Sequence, residues 1–142
     1  MKTSPIALLA ALGATSAAAQ PDTWDLLDDI EIDEIVTETS YEVKKRYPAG
    51  IAEAPQSITI TGYAAPALPG ELVQELMLVA DMGTCPFCGS LDHGASLMVS
   101  LAEPIPAVDE NKRITLQGTL RRVTDPQTWQ AVIMEDARIV SD

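Results

Sequence analysis

Basic residues are scarce in this chain. Nine lysines and arginines stand against 21 aspartates and glutamates, for a formal net charge of −12. Nucleic acid needs lysine and arginine to neutralise its phosphates, so that class of partner is excluded. Anionic lipid surfaces are excluded for the same reason. There is one histidine, His93, so a Ser/His/Asp triad would have to be built around it alone. There are two cysteines, Cys85 and Cys88, which is half of a four-cysteine structural zinc site. No glycine loop of the phosphate-cradling kind occurs. After the N-terminus no apolar run is long enough to span a bilayer, which takes about 20 residues.

What is present begins with an export signal. Lys2 supplies a positive n-region, Ile6 to Ala14 an apolar h-region, and Ala17-Ala18-Ala19 the small residues a signal peptidase requires. Residues 1–19 are expected to be cleaved before Gln20. Pro21 and Asp22 follow at once, so no stop-transfer pattern forms. Cleavage removes Lys2 and no acid, moving the charge from −12 to −13. The absence of cysteine at the cleavage point argues against a lipid anchor. Residues 20–142 then make one modest domain outside the cytoplasm. Within it, residues 20–50 read as an acidic lead-in with a short helix, and residues 51–142 as the folded β domain.

The lead-in concentrates Asp22, Asp25, Asp28, Asp29, Glu31, Asp33, Glu34 and Glu38 without an intervening base. A solvated, partly disordered stretch is the expectation. Inside it, Thr23 is placed to cap a helix whose Trp24, Leu27 and Ile30 share one face. Tyr41 to Tyr47 is a mixed segment ended by Pro48 and Gly50.

From Ser57 the pattern turns to strands. Ser57–Tyr63 alternates polar and apolar residues with many β-branched ones. Val73–Ala80 is a second strand despite its helix formers, and Ala95–Leu101 a third. Arg113–Val123 is a fourth, with Gly118 marking a bulge or sharp bend. Trp129–Val140 is the last, bending at Glu135-Asp136. Trp24, Trp129, Tyr63 and Met98 read as core or core-edge residues. Five short strands behind a small helix predict a mainly β fold: a small OB-like barrel first, a five-stranded sandwich second.

The chemistry concentrates in the loop between the second and third strands. Cys85-Pro86-Phe87-Cys88-Gly89 and His93 bring three soft or borderline ligands within nine residues. Two thiolates from a tight turn, with glycine after the second, have the form of a zinc knuckle. His93 is spaced to fold back as a third ligand, and Asp92 or a water supplies a fourth. Thiolate and imidazole together select zinc or copper over calcium or magnesium. A second reading is thiol–disulfide exchange, with Cys85 as nucleophile and Cys88 as resolving thiol. That chemistry calls for a helix N-terminus and a βαβ context, which the glycine-rich surroundings do not offer. A third reading is a plain disulfide in an oxidising compartment. Metal binding ranks first, with Cys85, Cys88, His93 and Asp92 as the site, zinc as the cofactor and no catalytic residue.

The order of segments is also familiar. Thr23-Trp24-Asp25-Leu26-Leu27, then Tyr47-Pro48, a strand ending Thr61-Gly62-Tyr63-Ala64-Ala65-Pro66, Glu75–Val79 before a cysteine loop, and finally Gly118-Thr119-Leu120 and Glu135-Asp136-Ala137, resemble an uncharacterised family of exported proteobacterial proteins. The resemblance spans nearly the whole mature chain. It implies a periplasmic barrel-like domain that accompanies export or metal-uptake transport components, and it brings no established activity. The joint expectation is a periplasmic, non-enzymatic metal-binding protein, with a membrane transport complex as partner.

Overall fold

A computed structural model describes residues 22–81 and 95–141 of the chain. The order is α1 (Thr23–Asp28), β1 (Glu31–Val36), β2 (Tyr41–Arg46), α2 (Ala49–Ala52), β3 (Gln56–Pro66), β4 (Val73–Val79), β5 (Ser96–Ile105), β6 (Arg113–Arg122) and β7 (Val132–Ser141). The last five strands close into a barrel in the order β3-β4-β5-β7-β6, and β3 pairs with β6 to complete the ring. Every pairing is antiparallel except β5 with β7. One parallel pair in a five-stranded closed barrel is the OB-type arrangement, so the sandwich alternative does not form.

The alternation that predicts the strands also fills the barrel. Leu76 and Leu78 of β4, Leu97 and Val99 of β5, Leu116 and Leu120 of β6 and Met134 of β7 are wholly buried. Among the described residues no polar or charged residue is buried with them. Val73–Val79 is a strand although its sequence favours helix, because both its edges are taken by β3 and β5. Strand β5 runs past Leu101 to Ile105 and includes Pro104. It does so where its pairing with β4 jumps from Ser100 to Ile105, so the proline leaves no ladder bond unmade.

Gly118 marks the sharpest bend. Between the pairs Gln117↔Arg138 and Thr119↔Glu135, the two residues Asp136 and Ala137 face Gly118 alone. Asp136 takes a φ of 52°, the left-handed conformation of a bulge. A Cβ on Gly118 would lie 2.9 Å from the Glu135 carbonyl oxygen and 3.0 Å from Ala137 Cα, so only glycine lets β7 cross here.

Helix α1 plugs one end of the barrel. Its cap is Asp22, not Thr23: the Asp22 carboxylate accepts the Trp24 N–H at 3.2 Å. Trp24 and Leu27 are buried, and the Trp24 indole N–H donates to the Thr61 carbonyl at 2.8 Å. Gly62 provides the room, since a Cβ there would meet Trp24 Cζ2 at 3.0 Å and collide with the Val79 carbonyl. Trp129 differs from its expected core place. It lies in the loop before β7 begins at Val132 and is 47% exposed.

The acidic lead-in is not a disordered stretch. After α1 it forms a two-stranded antiparallel ribbon, β1 with β2, turning at Thr37–Ser40. Its expected solvation holds, because all of β1 except Ile35 is exposed.

The plug carries a measurable share of stability. Trp24→Ala should lower unfolding free energy in urea by about 3–5 kcal/mol, as large aromatic truncations do. Trp24→Phe should cost less, about 1 kcal/mol beyond the lost ring area, for the Thr61 hydrogen bond.

Candidate functional site

Cys85, Cys88, Asp92 and His93 all lie outside the described residues. The residues on either side fix where their segment is rooted. Val79 and Ser96 are register partners, so β4 leaves and β5 returns side by side. Val79 also pairs with Tyr63, next to the Gly62 on which Trp24 rests. At the return, the Ala95 N–H donates to the Asp28 carboxylate at 2.6 Å. Both roots of residues 82–94 therefore stand at the barrel end that α1 closes.

Within the described residues no group of three or more His, Cys, Asp and Glu side chains is placed to hold a metal ion. Two of the three acids of β1 form surface ion pairs instead: Arg46 Nε meets Glu31 at 2.5 Å, and its Nη2 meets Asp33 at 3.3 Å. Pairs this exposed contribute little, about 0–1 kcal/mol each.

A second constellation joins the ribbon to the β6–β7 loop. The Lys45 ammonium donates to three carbonyl oxygens, Val123 at 2.9 Å, Asp125 at 2.9 Å and Gln130 at 2.8 Å. All three of its protons are thereby engaged. Burial pushes this ammonium below the ordinary lysine range, and the Asp125 charge opposes the shift. The Tyr47 hydroxyl sits 3.0 Å from the Val123 carbonyl oxygen and 2.9 Å from that of Ala131. Arg122 lies over its ring, 5.7 Å from the centroid. The Val43 N–H donates to Pro126 O at 2.8 Å, and Gln127 Nε2 donates to Tyr41 O at 3.0 Å. Residues 123–131 are thus folded around β2.

A third feature is a groove of about 270 Å³ between β5 and β7, lined by Leu101, Ala102, Glu103, Ile105, Ala137, Arg138 and Ile139. It opens because the parallel pairing ends at Leu101↔Ala137, beyond which the two strands diverge. Its lining has one acid and one base and no cluster of nucleophiles.

No protein-family model matches this sequence, and no curated protein or solved structure does.

Sequence reasoning left the ribbon and its tether unassigned. The signal was there in Tyr41, Val43 and Lys45, which alternate along β2 and share one face. Acidic residues between the apolar ones of β1 hid the matching strand.

The tether gives a pH-dependent outcome. Burial raises the Tyr47 pKa above its usual 10.0, with Arg122 opposing. The folded state therefore holds this proton more tightly than the unfolded chain does. Its contribution is complete below about pH 10 and is lost as pH rises through the folded value. Urea unfolding should show stability falling above pH 10, and Tyr47→Phe should remove its part of that slope. A slope unchanged in Tyr47→Phe would refute the assignment.

Proposed function

We propose that this protein is an exported, non-enzymatic binding domain that carries a transition metal, zinc, on the loop between β4 and β5. Cys85 and Cys88 supply the thiolates, His93 the imidazole, and Asp92 the weakest ligand. The observation that carries the reading is the Cys-x-x-Cys-Gly spacing with His93 five residues on. Two strand ends held in register give such a loop a fixed base, which limits the entropy lost when ligands gather round an ion. The rest of the domain supports a scaffold role, since its core is wholly apolar among the described residues.

The compartment belongs to the same proposal. A signal removed after Ala19 would deliver the domain to the periplasm, where metal must compete with oxidation of its own ligands. An ion held firmly by three protein ligands, with only the weak Asp92 or a water in the fourth position, suits hand-over to a transport complex, the partner that the segment order implies.

The test is a count of free thiols in protein isolated from the periplasm, followed by zinc titration of the reduced full chain. One zinc per chain is expected, with binding lost in Cys85→Ser and weakened in His93→Ala. Zinc at 100 times its dissociation constant should raise the unfolding free energy by about 2.7 kcal/mol. Failure of the reduced protein to bind zinc would sink the proposal. Disulfide exchange with a small dithiol that depends on Cys85 would replace it with thiol chemistry.

A further inference from the structure

Among the described residues the ribbon has one edge in use and one edge free. Residues along an antiparallel pair alternate between bonding inward and pointing their peptide groups outward. Val43 uses its N–H outward on Pro126, and Tyr41 its carbonyl outward on Gln127. The register partners of Tyr41, Val43 and Lys45 are Val36, Glu34 and Ile32. Those three therefore turn their N–H and C=O groups away from β2, and no described residue bonds to them.

The side chains along this edge have a definite chemistry. Ile32, Glu34 and Val36 share a face with Tyr41, whose phenol lies against the Glu34 carboxylate and the Trp129 indole. Ile32 is 42% exposed, Val36 68% and Trp129 47%. Arg46 occupies Glu31 and Asp33, while Glu34 and Glu38 have no described cation within ion-pair distance. Charge by itself would guard an edge against pairing with copies of this chain. Guarding does not require apolar and aromatic side chains to stand in solvent beside the charge.

We propose that the outer edge of β1 is a docking site for an extended, basic segment of a partner protein, added to the ribbon as a third strand. Main-chain bonds to Ile32, Glu34 and Val36 would give the affinity. A lysine or arginine would lie against Glu34 and the Tyr41 and Trp129 rings, and apolar side chains against Ile32 and Val36. The charge selects the occupant. Of the six residues of β1, three are acids and none is a base, and the chain as a whole stands at −12. A second copy would set acid against acid, which disfavours cross-strand pairing.

The test uses the full chain and a short peptide Val-Thr-Lys-Thr-Val, whose two valines and lysine share one face, with Val-Thr-Glu-Thr-Val as control. The basic peptide should shift the amide resonances of Ile32, Glu34 and Val36, and added salt should weaken it. Glu34→Pro removes an outward N–H without touching a β1–β2 bond, and should weaken binding about tenfold. Glu34→Gln keeps that N–H and should weaken it less. Inter-strand contacts between Asp33 and Lys44 and between Ile35 and Glu42 that persist in Glu34→Pro show that the ribbon is kept. A peptide N-methylated along its bonding edge should not bind. The proposal is overturned if the basic peptide shifts none of these amides, if the acidic peptide binds equally, if Glu34→Pro binds as the parent does, or if the shifts map to Leu101–Ile105 and Ala137–Ile139.

Discussion

The whole barrel turns on the crossing of β7 over β6 at Gly118. Five strands of seven to eleven residues cannot curl into a ring unless at least one of them coils sharply. Here Asp136 takes the left-handed conformation and Gly118 yields its side-chain volume, so that Ala137 turns inward and meets Leu101 of β5. That meeting is the last link of the one parallel pair. Without the bulge, β7 would carry its apolar face out of register, because one residue of slip reverses every side chain beyond it. The same turn has a consequence on the outside. β7 leaves β5 directly after Ala137, and the groove between them is the space so created.

A closed ring still has two open ends, and the chain deals with one of them before the barrel begins. Trp24 is set by a six-residue helix too short to be stable alone, so its order comes from burial and not from propensity. Gly62 and Gly118 thus serve parallel purposes at different places. One admits a ring from outside the barrel, and the other admits a crossing strand. The ribbon is a dependent element in the same sense. A lone hairpin is at best marginally stable in water. This one keeps its place through Lys45, Tyr47 and Val43, whose partners are all carbonyls of the β6–β7 loop. Loop and ribbon therefore order one another.

The parts of this fold that were legible in sequence share one trait: their side chains alternate between core and solvent. That is clearest in β3 and β6; β7 alternates up to its bulge, and β4 buries Val73, Leu76, Leu78 and Val79 across a register shift. Gly118 and Glu135-Asp136 announced the bulge because only special backbone is served by such residues in a strand. The ribbon escaped for the opposite reason. Apart from Ile35, β1 lies exposed on both faces, so its alternation encodes no burial, and acids at Glu31, Asp33 and Glu34 read as solvated chain. Trp129 was misplaced because size alone argues for burial, while its position in the tethered loop keeps it out. The cysteine segment was the most conspicuous feature of the sequence, and its roots at Val79, Ala95 and Ser96 are what the fold adds to it.

The acidic charge finally needs a reason of its own. Folding does not ask for it, since crowding Glu31, Asp33 and Glu34 on one strand works against the compact state. Ion pairing does not offset it, since Arg46 reaches two of these acids where all three side chains are more than half exposed. Solubility would be served as well by acids spread over the surface. What concentration on β1 achieves is directional: it makes a strand edge that no described residue covers hostile to copies of itself and receptive to a strand of opposite charge. The exposed Ile32 and Val36 then have a role that neither solubility nor stability gives them. An edge that repels its own kind while offering apolar contact is the arrangement a heterotypic strand partner requires.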